Sequence, residues 1–176
     1  MEDGDLIRCL NRHACPAQFI GVCAHYAKAL GIEGFGEVWL ETLVDARLLR
    51  TPADFYELTL SELLKFERMG VTLARKLLTE VEKSKTVPLK VFLYALGIQD
   101  VGKTVAETVA AEFVTIEAVR AATVEQFLSL PKVGPIVAGN LRNGLTAQKI
   151  LIDSLLGHIT VSPHESLVRN TEVDLQ

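Results

Sequence analysis

Four glycines, Gly36, Gly70, Gly102 and Gly134, stand 34, 32 and 32 residues apart, and one pattern surrounds each of them. The residue before each glycine is apolar: Phe35, Met69, Val101 and Val133. So is the residue four before: Ile32, Phe66, Ile98 and Leu130. Four after come Leu40, Ala74, Ala106 and Ala138, and seven after come Leu43, Leu77, Val109 and Leu141. A recurring period of this length marks a repeated supersecondary unit. The segments that follow the glycines, such as "GVTLARKLLTEVEKS", "GKTVAETVAAEF" and "GPIVAGNLRNGL", have helical periodicity. The segments before them, "LSELLKF", "LKVFLYAL" and "VEQFLSL", are also helix-prone with one apolar face. Each copy therefore reads as helix, tight turn, helix. Pro135 suits the first position of a helix that starts behind Gly134. Alanine one turn in lets two helices approach closely. The glycine is expected to spare the turn a Cβ penalty at positive φ and to let a ligand reach the backbone.

The expected fold is all-α: four tandem helix–turn–helix units in one compact domain. A short irregular segment over 1–16 comes first, followed by a connecting helix near 16–31. The helical domain occupies 17–159, with its last helix ending about Leu156 and a soft division near residue 88. A polar tail covers 160–176.

A helix that starts behind a glycine turn offers unpaired N–H groups and a partial positive charge, which together make an anion site. If the anion is a phosphodiester, the turn grips a nucleic-acid backbone without reading bases. Repeats of this kind also build solenoids and docking scaffolds, and the pattern alone leaves both readings open. Charge narrows the first one. The net charge is −4, but three acids fall within residues 1–5 and three more within 165–176. Between 6 and 164 there are 17 basic and 16 acidic side chains. There is no broad basic field, so a grip on DNA has to be local and geometric.

Other classes fit less well. No uncharged apolar run reaches the roughly 18–20 residues of a membrane span. The opening "MEDGDLIRCLNR" is acidic and polar, unlike a secretory signal. A cytoplasmic protein with no membrane partner is expected. Cys9, Cys15 and Cys23 are odd in number, so a disulfide framework is not expected. The cluster Arg75, Lys76, Lys83 and Lys85 is interrupted by Glu80 and Glu82 and reads as a solvated helix face. Trp39, just after the first turn, reads as a packing residue. His158 and His164 have no spacing that suggests catalysis or metal, and the sequence holds no P-loop or carboxylate metal motif.

The pattern resembles the helix-hairpin-helix motif. The stretches "RCLNRHACPAQF", "GIEGFGEVWLETLVDARLLRTPADFYELT", "LLKFERMGVTLARKLLTEVEKSKTVPLKVFLYALGIQDVGKTVAETVAAEF" and "LPKVGPIVAGNL" together resemble the C-terminal half of the bacterial NAD+-dependent DNA ligases. The likeness runs from about Ile7 to about Ile159. It implies a compact helical domain of four hairpins in two pairs, following a small zinc finger. It also implies contact with double-stranded, nicked DNA at phosphates on the minor-groove side, in replication and repair. The implied hairpin turns lie at 33–36, 67–70, 99–102 and 130–134. The DNA-binding residues it points to are Gly34, Gly36, Arg68, Gly70, Gly102, Lys103, Lys132 and Gly134. Only the first turn reads Gly-x-Gly; Arg68, Asp100 and Lys132 stand where the others would carry the earlier glycine. A base there can add a phosphate contact, whereas Asp100 opposes one. The first turn is flanked by Glu33 and Glu37 and is a candidate for structural docking.

Two departures stand out. The family's zinc finger uses four cysteines, and here Cys9 and Cys15 match only the second pair. Two thiolates do not satisfy tetrahedral zinc. A set completed by His13, Cys23 or His25 is disfavoured because "AQFIGVCAHYAKAL" reads as helix, where neighbours two apart diverge. Zinc is therefore not expected; Cys23 reads as a small core residue and His25 as a surface one. Nor is any lysine followed by the Lys-x-Asp-Gly of the adenylation site. No cofactor is expected for this chain, NAD entering only through an adenylation domain, which is also a candidate partner. The alternative function is a helical scaffold that docks a protein such as a separate adenylation subunit.

Overall fold

A computed structural model describes residues 16–164. The chain divides into two compact units, Met1–Glu82 and Lys83–Gln176, and each holds two of the four hairpins. Among the described residues no helix is long and apolar enough to cross a membrane.

Unit 1 begins with α1 (Pro16–Leu30), the first helix of the first hairpin. Gly31 ends it at φ 73, and the Ile32 amide reaches back to the Ala27 carbonyl at 2.8 Å. That is the left-handed helix stop for which glycine is favoured. The hairpin's second helix is α2 (Glu37–Asp45). A 3₁₀ turn (Pro52–Glu57) leads to the second hairpin, formed by a single-turn α3 (Leu60–Leu63) and α4 (Val71–Lys83). The "LSELLKF" segment is thus helical only in its first half; residues 64–68 form turns. Tyr26, Leu40, Leu43, Phe55, Leu63 and Leu77 are wholly buried. Phe35 meets Phe55 edge-on at 5.0 Å, and the Tyr26 and Tyr56 hydroxyls lie 2.8 Å apart.

Unit 2 carries the third hairpin, α5 (Leu89–Ala95) and α6 (Lys103–Phe113), and the fourth, α8 (Val124–Leu128) and α9 (Pro135–Ala147). Between them lies α7 (Ile116–Ala121), and α10 (Lys149–Leu156) follows. Phe92, Leu93, Phe127, Leu141, Ile152 and Leu155 fill its core. The Arg142 guanidinium donates to the Arg120 and Ala122 carbonyls at 2.8 and 2.6 Å, satisfying carbonyls at the C-terminal end of α7. The all-helical expectation holds with one exception. Residues 160–162 form β2 (Thr160–Ser162), paired in parallel with β1 (Thr86–Pro88) in the register Thr86↔Thr160, Val87↔Val161, Pro88↔Ser162. The segment expected as the start of a polar tail instead closes the unit.

The repeat converts almost entirely into packing. Of the aligned positions four and one before and four and seven after each glycine, all are buried except Phe66, which is half-buried. In three turns the first two of these positions also bond each other. The amides of Met69, Val101 and Val133 donate to the carbonyls of Phe66, Ile98 and Leu130 at 3.0, 3.0 and 3.4 Å.

Candidate nucleic-acid interface

The four repeated glycines sit at the starts of α2, α4, α6 and α9, and all four are exposed. Each accepts, through its carbonyl, the first bond of its helix: from Leu40, Ala74, Ala106 and Ala138, at 2.9, 2.9, 3.0 and 2.9 Å. The amides in between have no acceptor among the described residues. These are Glu37, Val38 and Trp39 at the first tip; Val71, Thr72 and Leu73 at the second; Lys103, Thr104 and Val105 at the third. At the fourth they are Ile136 and Val137, since Pro135 has no N–H. No side chain caps α2, α6 or α9.

The reason for glycine differs from the sequence expectation. Gly36, Gly102 and Gly134 have φ of −70, −88 and −91, values open to any residue. Gly70 is also outside the positive-φ set. Positive φ falls two residues earlier, at Gly34 (97), Asp100 (66) and Lys132 (68), but not at Arg68. A Cβ built on Gly36, Gly70, Gly102 or Gly134 would meet nothing within 4 Å. Neither backbone conformation nor internal packing requires a bare Cα at these positions. Elsewhere a bare Cα is required: Gly34 stands at φ 97, where a Cβ would also lie 2.6 Å from the terminal Cδ2 of Leu77, and a Cβ on Gly144 would lie 2.8 Å from Ile98 Cγ1 and Cγ2.

Three of the other short helices, α3, α7 and α8, begin differently, while α5 and α10, behind Pro88 and Gln148, have no side-chain cap either. Thr59 and Thr123 accept from the amides of Glu62 and Gln126, both at 3.2 Å, and their own amides donate to those side chains at 3.1 and 2.8 Å. Thr115 accepts from Ala118 at 3.2 Å. These are closed caps, with orphan donors satisfied inside the chain.

Side chains around the tips vary in charge. Arg68, Arg75 and Lys76 are exposed at or just behind the second tip, and Lys132 is exposed at the fourth. Lys103 is exposed with its Nζ 5.6 Å from the Tyr94 ring centroid, a cation–π distance. The Asp100 carboxylate accepts from Asn140 Nδ2 at 3.0 Å and so serves the fold. The first tip has Glu33 and Glu37 exposed. Sequence reasoning missed the apolar residues at the tips: Val38 is 70% exposed, Ile136 74% and Val71 47%. The available signal was an apolar residue one or two places behind the glycine, off the buried helical face.

Cys9, Cys15 and His13 lie outside the described residues. Cys23 is fully buried, and desolvation, with a smaller contribution from the Asp54 carboxylate, pushes its thiol from 9.0 up to about 12. Such a thiol is a core residue, not a ready ligand. His25 is half-buried, not a surface residue. Among the described residues no group of three or more His, Cys, Asp or Glu could hold a metal ion. Trp39 packs edge-on against Phe66 at 6.4 Å, as expected for a packing residue.

Comparison with known proteins adds a lineage to this geometry. Residues 91–150 match the helix-hairpin-helix motif family. Three curated relatives, each named DNA ligase, align over most of the chain. The Marinobacter nauticus protein is 43% identical over 145 residues, 81% of this chain and 21% of that protein. The Brachyspira hyodysenteriae protein is 38% identical over 159 residues (88% and 24%), and the Hahella chejuensis protein 36% over 176 residues (98% and 26%). The chain spans about a quarter of the length of these relatives.

Proposed function

We propose that this chain, which belongs with the helix-hairpin-helix region of the DNA ligases, holds duplex DNA by its phosphates from the minor-groove side, without reading base sequence. The observation that carries the reading is the set of four exposed glycine caps. The fold does not need them bare, yet each leaves main-chain donors open at a helix start. A phosphate oxygen placed there accepts from two or three amides and lies on the positive end of the helix dipole. A Cβ would keep it away. Val38, Val71 and Ile136 flank these sites and suit the apolar edges of deoxyribose, which a purely ionic grip would not use. Arg68 and Lys132 add charge at two tips.

The sequence holds no Lys-x-Asp-Gly, so the chain's share of a ligase is holding the nicked duplex. In an NAD+-dependent ligase acting in replication and repair, adenyl transfer belongs to an adenylation domain that works beside it. That share of the work needs no metal and no cofactor from these residues.

A salt titration of binding to nicked and intact duplex, followed by fluorescence anisotropy, tests the reading. Side-chain contacts give a fall of about 0.9 in log K per unit log salt for each phosphate neutralised. Amide contacts release no side-chain charge, so the expected slope is small but nonzero. Lys132→Glu should weaken binding without lowering the melting temperature. Absence of binding to either duplex at low salt overturns the proposal. The carboxylates Glu33 and Glu37 favour a second reading for the first tip alone, as a docking point for a protein such as the adenylation domain. If Gly36→Ser leaves DNA affinity unchanged while serine at the other three glycines lowers it, the first tip belongs to that reading.

A further inference from the structure

Helix α9 does more than start at the fourth tip. Asn140, Gly144 and Gln148 recur every fourth residue and so share one side of α9 and its C-terminal cap. Each meets a different residue of the third hairpin's turn. Asn140 Nδ2 donates to Asp100 Oδ2 at 3.0 Å. Gln148 Nε2 donates to the Leu96 carbonyl at 3.0 Å. Between them, a Cβ on Gly144 would fall 2.8 Å from both Cγ atoms of Ile98. Ile98 is buried and β-branched, so it cannot swing aside as a flexible chain end would. Glycine weakens a helix interior, and here the turn packed against it accounts for its presence. Leu96, Ile98 and Asp100 thus lie along α9, and Gly102 follows two residues later.

Unit 1 meets the same demand with the sides exchanged. There the turn carries the glycine, Gly34, and the helix of the partner hairpin carries the side chain, Leu77 of α4. The Glu33 amide adds a bond to Glu80 Oε1 at 3.2 Å. In both units the second helix of the second hairpin bears on the turn of the first.

We infer that α9 sets the spacing between the Gly102 and Gly134 tips. Gly144 and Asn140 are positioning residues that make the two tips one preorganised grip on a duplex. The inference rests on the DNA-binding reading. Two tips held rigidly bind as a linked pair, the second at high effective concentration; a loosened pair forfeits that gain.

The test is a mutant cycle on the full chain, read by anisotropy with a labelled nicked duplex and by thermal melting. Gly102→Ser blocks the third tip and should lower wild-type affinity by ~10-fold. Gly144→Ala should lower it by a similar factor, because the tip is already displaced. Adding Gly102→Ser to Gly144→Ala should then cost less than ~2-fold further. Restoring the space with Ile98→Ala beside Gly144→Ala should return the affinity and the full effect of Gly102→Ser. A helix that served only stability would leave the Gly102→Ser factor intact in every folded background, and that result overturns the inference. If Gly144→Ala does not fold, Asn140→Ala, which removes one hydrogen bond, takes its place in the cycle with the same criterion. If the wild-type chain binds no duplex, the functional reading itself fails and this inference falls with it.

Discussion

The two helices of the fourth hairpin begin in opposite ways. Thr123 closes the start of α8: its hydroxyl accepts from Gln126, and Gln126 accepts back from its amide. Six residues after α8 ends, Gly134 leaves the start of α9 open. Both caps have extended backbone, with φ of −90 and −91, so conformation does not separate them. Serine would have suited Gly134 as well and stabilised α9 by about a few tenths of a kcal/mol. The same division runs through the second hairpin, where Thr59 closes α3 and Gly70 stands bare before α4. The starts of α3, α7 and α8 are closed by threonine caps. At the four tips glycine leaves the first helical amides exposed instead.

The comparison also separates two kinds of glycine, and that gives the largest stability effect. Gly34→Ala forces a Cβ onto φ 97 and toward Leu77, and should destabilise unit 1 by about 1–2 kcal/mol in denaturant melts. Gly36→Ala, two residues on, should cost less than about 1 kcal/mol. Equal costs would mean that the tip glycines are conformational after all. Thr123→Ala should cost about 1 kcal/mol and leave DNA affinity unchanged, since a closed cap does not touch the ligand. A loss of affinity without loss of stability would place α8 in the interface and blur the distinction. The smallest effect is at Lys132, a side chain in the left-handed region where the first tip has glycine. Lys132→Gly should raise stability by about 0.5 kcal/mol, the relief of φ strain offset by glycine's chain entropy. It should also reduce the salt slope by about 0.9 if the ammonium neutralises one phosphate.

Much of this was legible in the sequence because a repeated apolar spacing is a packing statement. Positions such as Val101, Ala106 and Val109 are buried where the alignment puts them. The tips were legible for the same reason, since an exposed turn is what remains between two buried faces. The location of positive φ was not. Asp100 and Lys132 are ordinary surface residues in sequence, and only the path of the turn puts them in the left-handed region. The β1–β2 pair joins three residues at 86–88 to three at 160–162, and pairing that distant leaves no local periodicity to read. Gly144 is a weak residue for the middle of a helix, and its cause, Ile98, lies 46 residues away in the chain. For Gly139, also within α9, nothing in the structure explains the missing side chain.

The central claim is that the tip glycines are bare for the ligand and not for the fold. Gly102→Ser combined with Gly134→Ser tests it most directly, because serine is a better helix cap than glycine and the φ values and free space admit it. Binding to a nicked duplex and thermal unfolding would be measured on the same preparation. The account predicts a melting temperature equal to or above that of the wild type. It predicts a fall in affinity of ~100-fold or more, from about 1.5–3 kcal/mol of charge-assisted hydrogen bonding lost at each tip. A folded double variant that binds the duplex as tightly as the wild type would contradict it.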